Sequence, residues 1–68
     1  MRNINFTFHA EQRCMERRIT KRQCVQILHF GAHFPTGRKN RVEVVWIGYI
    51  LIARKIKNGF EIITVWRA

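Results

Sequence analysis

Acidic residues are scarce in this chain. Four stand against thirteen Lys and Arg, a formal net charge of +9 over 68 residues. The four acids, Glu11, Glu16, Glu43 and Glu61, are scattered, which argues against the carboxylate clusters of two-metal nucleases and the carboxylate pairs of glycosidases. Cysteine is limited to Cys14 and Cys24. They fall in two separate predicted helices, and they are expected as buried thiols in a reducing compartment rather than as a disulfide framework. No apolar run approaches the ~18 residues that cross a bilayer. The N-terminus shows no apolar secretory core, because Arg2, Asn3 and Asn5 interrupt it. These absences lead to the expectation of a cytoplasmic protein without membrane attachment.

What is abundant is positive charge. Self-repulsion of this size disfavours a compact state, so its benefit is expected outside the fold. A phosphate backbone is the commonest counterpart, and arginine, which outnumbers lysine here, suits bidentate phosphate binding. An acidic protein partner is a second reading. An anionic membrane surface fits less well, since the Arg-rich first helix offers only Ala10, Cys14 and Met15 as an apolar face. A chain this short makes a single domain, residues 1–68, and a core of that size rarely supplies more than roughly 3–5 kcal/mol on its own. Dimerisation or a bound partner would add to that.

Periodicity gives the order β-α-α-β-β-β. Ile4 to Phe8 alternates as a short strand, and His9 to Arg18 is rich in helix formers. Thr20 with Gln23 makes a capping box for a second helix carrying Cys24, Val25, Ile27 and Leu28, with Gly31 as its C-cap. His33 to Asn40 holds Pro35, Gly37 and a basic cluster and reads as a loop. Arg41 to Ile47, Tyr49 to Ile56 and Phe60 to Trp66 read as strands. The expected fold is α+β, with two N-terminal helices packed on a three- to four-stranded antiparallel sheet.

A two-residue Asn58-Gly59 turn would pair Ile56 with Glu61, Arg54 with Ile63 and Ile52 with Val65. An Ile47-Gly48 turn would pair Trp46 with Tyr49, Val44 with Leu51 and Val42 with Ala53. The two-residue period then places Val42, Val44, Trp46, Tyr49, Leu51, Ala53, Phe60, Ile62, Thr64 and Trp66 toward the helices. The opposite face would carry Arg41, Arg54 and Arg67 among aliphatics, as a binding surface or a dimer seam.

His9, Arg13 and Arg17 follow i, i+4, i+8 spacing and form one stripe on the first helix. An imidazole near its pKa and guanidinium groups around a phosphate are the parts that metal-free RNA cleavage needs. The same residues also suit a solvated helix face paired with Glu11 and Glu16. Arg18, Lys21 and Arg22 extend the basic surface, and Arg38, Lys39 and Arg41 form a second basic cluster, each a candidate nucleic-acid contact. Trp46, Tyr49 and Trp66 are candidates for base stacking, although aromatics on a sheet are more often core. Cys24, His29 and His33 raise the question of zinc, but no CxxC or HExxH pattern exists and no metal or cofactor is implied.

The run Phe8-His9-Ala10-Glu11-Gln12-Arg13 through Glu16-Arg17-Arg18-Ile19-Thr20, with Ile63-Thr64-Val65-Trp66 near the end, resembles a family of small bacterial and phage proteins of unknown function. Its pattern is His-Ala-x-x-Arg-Met-x-x-Arg-Gly-Ile-[Ser/Thr]. His9, Ala10, Arg13, Arg17 and Ile19 match it, whereas Cys14 replaces the usual Met and Arg18 the usual Gly. Such proteins look like relatives of the RelE/ParE/BrnT toxin fold. The resemblance implies a toxin-type, metal-independent endoribonuclease acting on RNA or the ribosome and held by an acidic antitoxin. Arg54 and Arg67 resemble the sheet-borne arginines of RelE-type toxins by location. Fold likeness alone does not give activity. Two other classes therefore stay open: a non-enzymatic basic inhibitor, phage-encoded in one version, and a plain RNA- or DNA-binding module.

Overall fold

A computed structural model describes residues 3–68. The elements are β1 (Asn3–Phe6), α1 (Phe8–Arg17), α2 (Lys21–Phe30), β2 (Ala32–Pro35), β3 (Arg41–Trp46), β4 (Tyr49–Ile56) and β5 (Gly59–Arg67). They build one five-stranded sheet of order β1-β5-β4-β3-β2, with β1 parallel to β5 and every other pairing antiparallel. Both helices pack on one face. The α+β class and the two-helix layer are those expected from the sequence, and the sheet is one strand wider and mixed.

The additional strand is β2, in the segment expected to be a loop. It lies at the sheet edge, where Pro35 at its end removes no ladder bond that the sheet needs. The first strand is shorter than expected because Thr7 leaves it to cap α1, its side chain accepting from the Ala10 amide at 3.0 Å. The Thr20–Gln23 capping box forms in full. Gly31 closes α2 with φ −77°, so it is not there for a left-handed turn. A Cβ at that position would stand 2.6 Å from both the Ile27 carbonyl oxygen and a Val44 methyl, so Gly31 lets α2 turn tightly onto β3.

The core lies between the helices and the sheet. Ala10, Cys14, Ile19, Cys24, Ile27 and Leu28 meet Val42, Val44, Leu51, Ala53, Ile62 and Val65, with Ile4, Phe6, Trp46, Tyr49 and Phe60 packed around them. The Ile47-Gly48 turn forms as expected, with Trp46 opposite Tyr49, Val44 opposite Leu51 and Val42 opposite Ala53.

The last hairpin departs from the expected register in two ways. Its turn is Lys57-Asn58, so Ile56 faces Gly59 and Arg54 faces Glu61. Farther on, the register shifts by one at Ile52/Ala53, with Ile62 and Thr64 as successive partners and Ile63 left over as a bulge. The bulge exchanges the faces of everything after it. Val65 enters the core opposite Leu51, Trp66 moves to the open face opposite Ile50, and Arg67 comes to the helix side opposite Tyr49.

Candidate nucleic-acid interface

The bulge decides where the basic residues meet. Beyond Ile62, β5 has no strand on its outer edge among the described residues, and α1 lies along it instead. The Thr7 hydroxyl donates to the Ile63 carbonyl at 3.3 Å, and the Arg17 guanidinium donates to the Val65 carbonyl at 2.9 Å. Arg67 donates in return to the carbonyls of Arg17 and Arg18, the latter at 3.3 Å, at the negative end of the α1 dipole. Its guanidinium also lies 5.6 Å from the centre of the Tyr49 ring, whose hydroxyl accepts from the Gln23 amide.

Glu16, Arg17, Arg18, Trp66 and Arg67 line an open cleft of about 500 Å³ at this end of the sheet. Its electrostatics follow from the partners. Glu16 is spent on Arg13, 2.6 Å away. Arg17 and Arg67 are oriented by neutral carbonyls, which fix a guanidinium without cancelling its charge. Arg18 is exposed and forms no ion pair among the described residues. Trp66, half-buried and on the sheet face opposite Arg67, also lines the cleft at the strand edge. Fixed cations beside a π-face suit a phosphate with its base, the combination used on single strands.

The candidate residues divide among three places. Arg17, Arg18 and Arg67 come together in the cleft. His9 is exposed in the first turn of α1, eight residues and ~12 Å along the helix axis from Arg17. The His9–Arg13–Arg17 stripe is therefore a track rather than a ring around one atom. It runs on the α1 flank away from α2, because Glu11 on the other flank reaches Lys21 of α2 at 2.8 Å. That contact raises the Lys21 pKa and holds the ammonium 5.2 Å from the Phe6 ring centre, which makes Lys21 a helix-to-helix clamp. Arg22 is exposed.

Arg38, Lys39 and Arg41 lie at the far end of the sheet, where Lys55 donates to the Asn40 carbonyl. The eight residues of β4, ~24 Å long, separate the two clusters. Arg54 sits on the open face between Arg41 and Glu61, and its bond to Glu61 is 2.6 Å. The expectation that Arg54 and Arg67 share a face is corrected by the bulge, which turns Arg67 to the helices. Trp66 is corrected in the opposite sense. Expected toward the helices, it lies on the open face, where a base can reach it. Trp46 stacks on Phe30 and flanks the core.

The residues that raised the question of zinc are dispersed. The His33 Nε2 lies 2.8 Å from the Leu28 carbonyl, His29 meets Phe30 edge-on, and Cys24 faces Cys14. Among the described residues no three His, Cys, Asp or Glu side chains converge as metal ligands would. None of their helices is long and apolar enough to cross a membrane.

Comparison with protein-family models, with curated proteins and with solved structures gave no match.

The cleft was only half legible in the sequence. Arg17, Arg18, Arg67 and Trp66 were each singled out, in different groups and for different reasons. What joins them is the Ile63 bulge, and an isolated extra residue in a β-branched run leaves no mark in a period-two pattern.

Proposed function

We propose that this chain is a toxin-type RNA-acting domain that holds single-stranded RNA along α1 and the free edge of β5. Arg17, Arg18 and Arg67 take a phosphate, and Trp66 takes the adjoining base. The observation that carries this reading is the placement of Arg17 and Arg67: each is oriented by backbone carbonyls, keeps its full charge and lines one cleft with Trp66. The net charge of +9 and the resemblance of the His9–Thr20 segment to small toxin-related proteins point the same way. The polyanion continues along Arg13 toward His9, or across the open face toward Arg41, Arg38 and Lys39. Cleavage in this reading is metal-independent and falls on a phosphate farther along the track than the one held in the cleft, with His9 as its acid–base group and Arg13, one turn on, as the nearest guanidinium of the stripe.

A second reading, binding without cleavage, is favoured by the ~12 Å between His9 and Arg17 along the helix. A non-enzymatic inhibitor of a nucleoprotein would use the same cleft and no imidazole. An acidic antitoxin or other protein partner would compete with RNA for it.

One experiment separates the readings. The protein is induced in a bacterium beside His9→Ala, Arg18→Ala/Arg67→Ala and Arg54→Ala, and total RNA is mapped for new 5′ ends. New ends lost in the His9 and cleft variants support cleavage on the α1 track. Retention in the cleft variant excludes the cleft, and RNA left intact by a protein that still binds RNA oligonucleotides through Trp66 supports the second reading.

A further inference from the structure

Cys14 of α1 and Cys24 of α2 face each other inside the core with their Sγ atoms 3.6 Å apart, and both are free thiols. The pair is the one sulfur contact between the two helices among the described residues. A disulfide has its sulfurs ~2.05 Å apart, so closure needs an approach of about 1.5 Å shared between two side chains. The cysteines are ten positions apart and belong to helices joined by a short connection, Arg18 to Thr20, so neither strand order nor sheet register has to change.

The two thiols are not equivalent. Cys24 is fully enclosed, and burial with the neighbouring Cys14 pushes its pKa up to about 12. Cys14 is also buried but less completely, with 6% of the residue's surface exposed. A fully enclosed thiol with a raised pKa is a poor first nucleophile toward an oxidant, so Cys14, the less enclosed of the two, is the one to react first.

We propose that Cys14 and Cys24 form a redox-modifiable site, in which a hydroperoxide oxidises Cys14 and Cys24 resolves it into a disulfide that staples α1 to α2. In the first step the Cys14 sulfur attacks a peroxide oxygen and the O–O bond breaks. A sulfenic acid forms, and the departing oxygen takes up the thiol proton and leaves as water from hydrogen peroxide, or as the alcohol from an organic hydroperoxide. In the second, the Cys24 sulfur attacks the Cys14 sulfur, an S–S bond replaces the S–O bond, and a second water leaves with the Cys24 proton. Two electrons pass from the sulfur pair to the peroxide. The staple fixes the helix crossing one turn before Arg17 and Arg18 and is reversed by dithiol reductants. The inference is independent of what the cleft binds.

The test uses the full chain treated with hydrogen peroxide and then digested with trypsin without reduction. Cleavage after Arg17, Arg18, Lys21 and Arg22 separates the cysteines unless a bond joins them. The expected result is a linked peptide pair lighter by ~2 Da than the sum of its parts, a monomeric protein, and a melting temperature higher by roughly 10 °C that returns to its original value with dithiothreitol. Two thiols that still alkylate after unfolding overturn the proposal. So does Cys14 carried on to the sulfinic acid with Cys24 untouched. Cys24→Ala, which removes the resolving thiol, is expected to leave Cys14 as a trappable sulfenic acid. Because the peptide map is made on the natural chain, the proposal remains open to refutation if that variant folds poorly.

Discussion

Arg17 and Arg67 make a crossed pair of bonds between α1 and β5: Arg67 donates to the carbonyl of Arg17, and Arg17 donates to the carbonyl of Val65, two residues before Arg67. This clasp ties the last turn of α1 to the end of β5, past the stretch that pairs with β1. Charge-assisted bonds to carbonyls contribute ~1.5–3 kcal/mol each when well shielded, and less at a half-exposed site such as this. Arg67→Ala is therefore expected to lower stability by about 1–2 kcal/mol in urea unfolding. Arg67→Lys, which keeps the charge and loses the fork, should recover little stability yet retain most of the affinity for a short RNA. Equal loss of RNA affinity in both variants would show that bidentate geometry, rather than charge, does the binding.

Arg18 occupies the left-handed region, φ 54° and ψ 44°, at the C-cap of α1, with its amide bonded to the Cys14 and Met15 carbonyls. Glycine is the residue that takes this conformation without steric cost. Arg18→Gly is expected to raise stability by about 0.5–1 kcal/mol while weakening RNA binding and flattening its dependence on salt by one phosphate contact. A protein that gains stability and loses affinity separates the two roles of the position. A loss of both would mean that the Arg18 side chain also supports the fold.

Ile47 departs farther from its residue's preference. With φ 42°, followed by Gly48 at 79°, it is the first centre of a two-residue turn that demands positive φ at both positions. A β-branched residue is held there at a cost of about 1–2 kcal/mol, and its side chain is 75% exposed. Ile47→Asn is expected to raise the melting temperature by several degrees, as read by calorimetry at fixed salt. An unchanged or lower value would mean that the exposed isoleucine contacts something the turn conformation alone does not account for.

The two hairpins show what the sequence carries and what it leaves out. Ile47-Gly48 has weak turn chemistry and still sets the expected register, because Val42, Val44, Leu51 and Ala53 bury only one way. Asn58-Gly59 has the strongest turn chemistry in the chain, yet the turn is Lys57-Asn58, with Asn58 at φ 63°. Gly59 answers a different demand. A Cβ there would lie 1.7 Å from the Asn3 carbonyl oxygen, so glycine lets β1 come alongside β5. A local rule assigned the glycine to the turn when a strand more than fifty residues away required it. The basic stripe, the capping box and the helix pair were legible for the opposite reason, since each depends on neighbours within a few positions.

Gly59→Ala follows from that contact. It is expected to cost about 1–3 kcal/mol as β1 is pushed from β5, with amide exchange accelerated first in Asn3–Phe6 and the β4–β5 hairpin still protected. Exchange rising first in the hairpin would return the glycine to the turn.

Alkaline pH offers a reading of the core that does not depend on function. The Cys24 pKa stands near 12 in the folded chain, against an ordinary value of 9.0, because burial and the neighbouring Cys14 disfavour its thiolate. Between those values the unfolded chain releases the thiol proton and the folded chain keeps it, so the unfolded state binds fewer protons and stability falls as pH rises. The slope from this one group is at most about 1.4 kcal/mol per pH unit. It is fully felt between roughly pH 9 and 12 and absent below the lower value. Other groups also titrate there, so the comparison is with Cys24→Ala, whose stability measured in urea from pH 8 to 11 should fall less steeply than that of the natural chain. Parallel curves would mean that Cys24 ionises as readily inside the fold as outside it, and that the crossing of α1 and α2 is open enough for solvent to reach the pair.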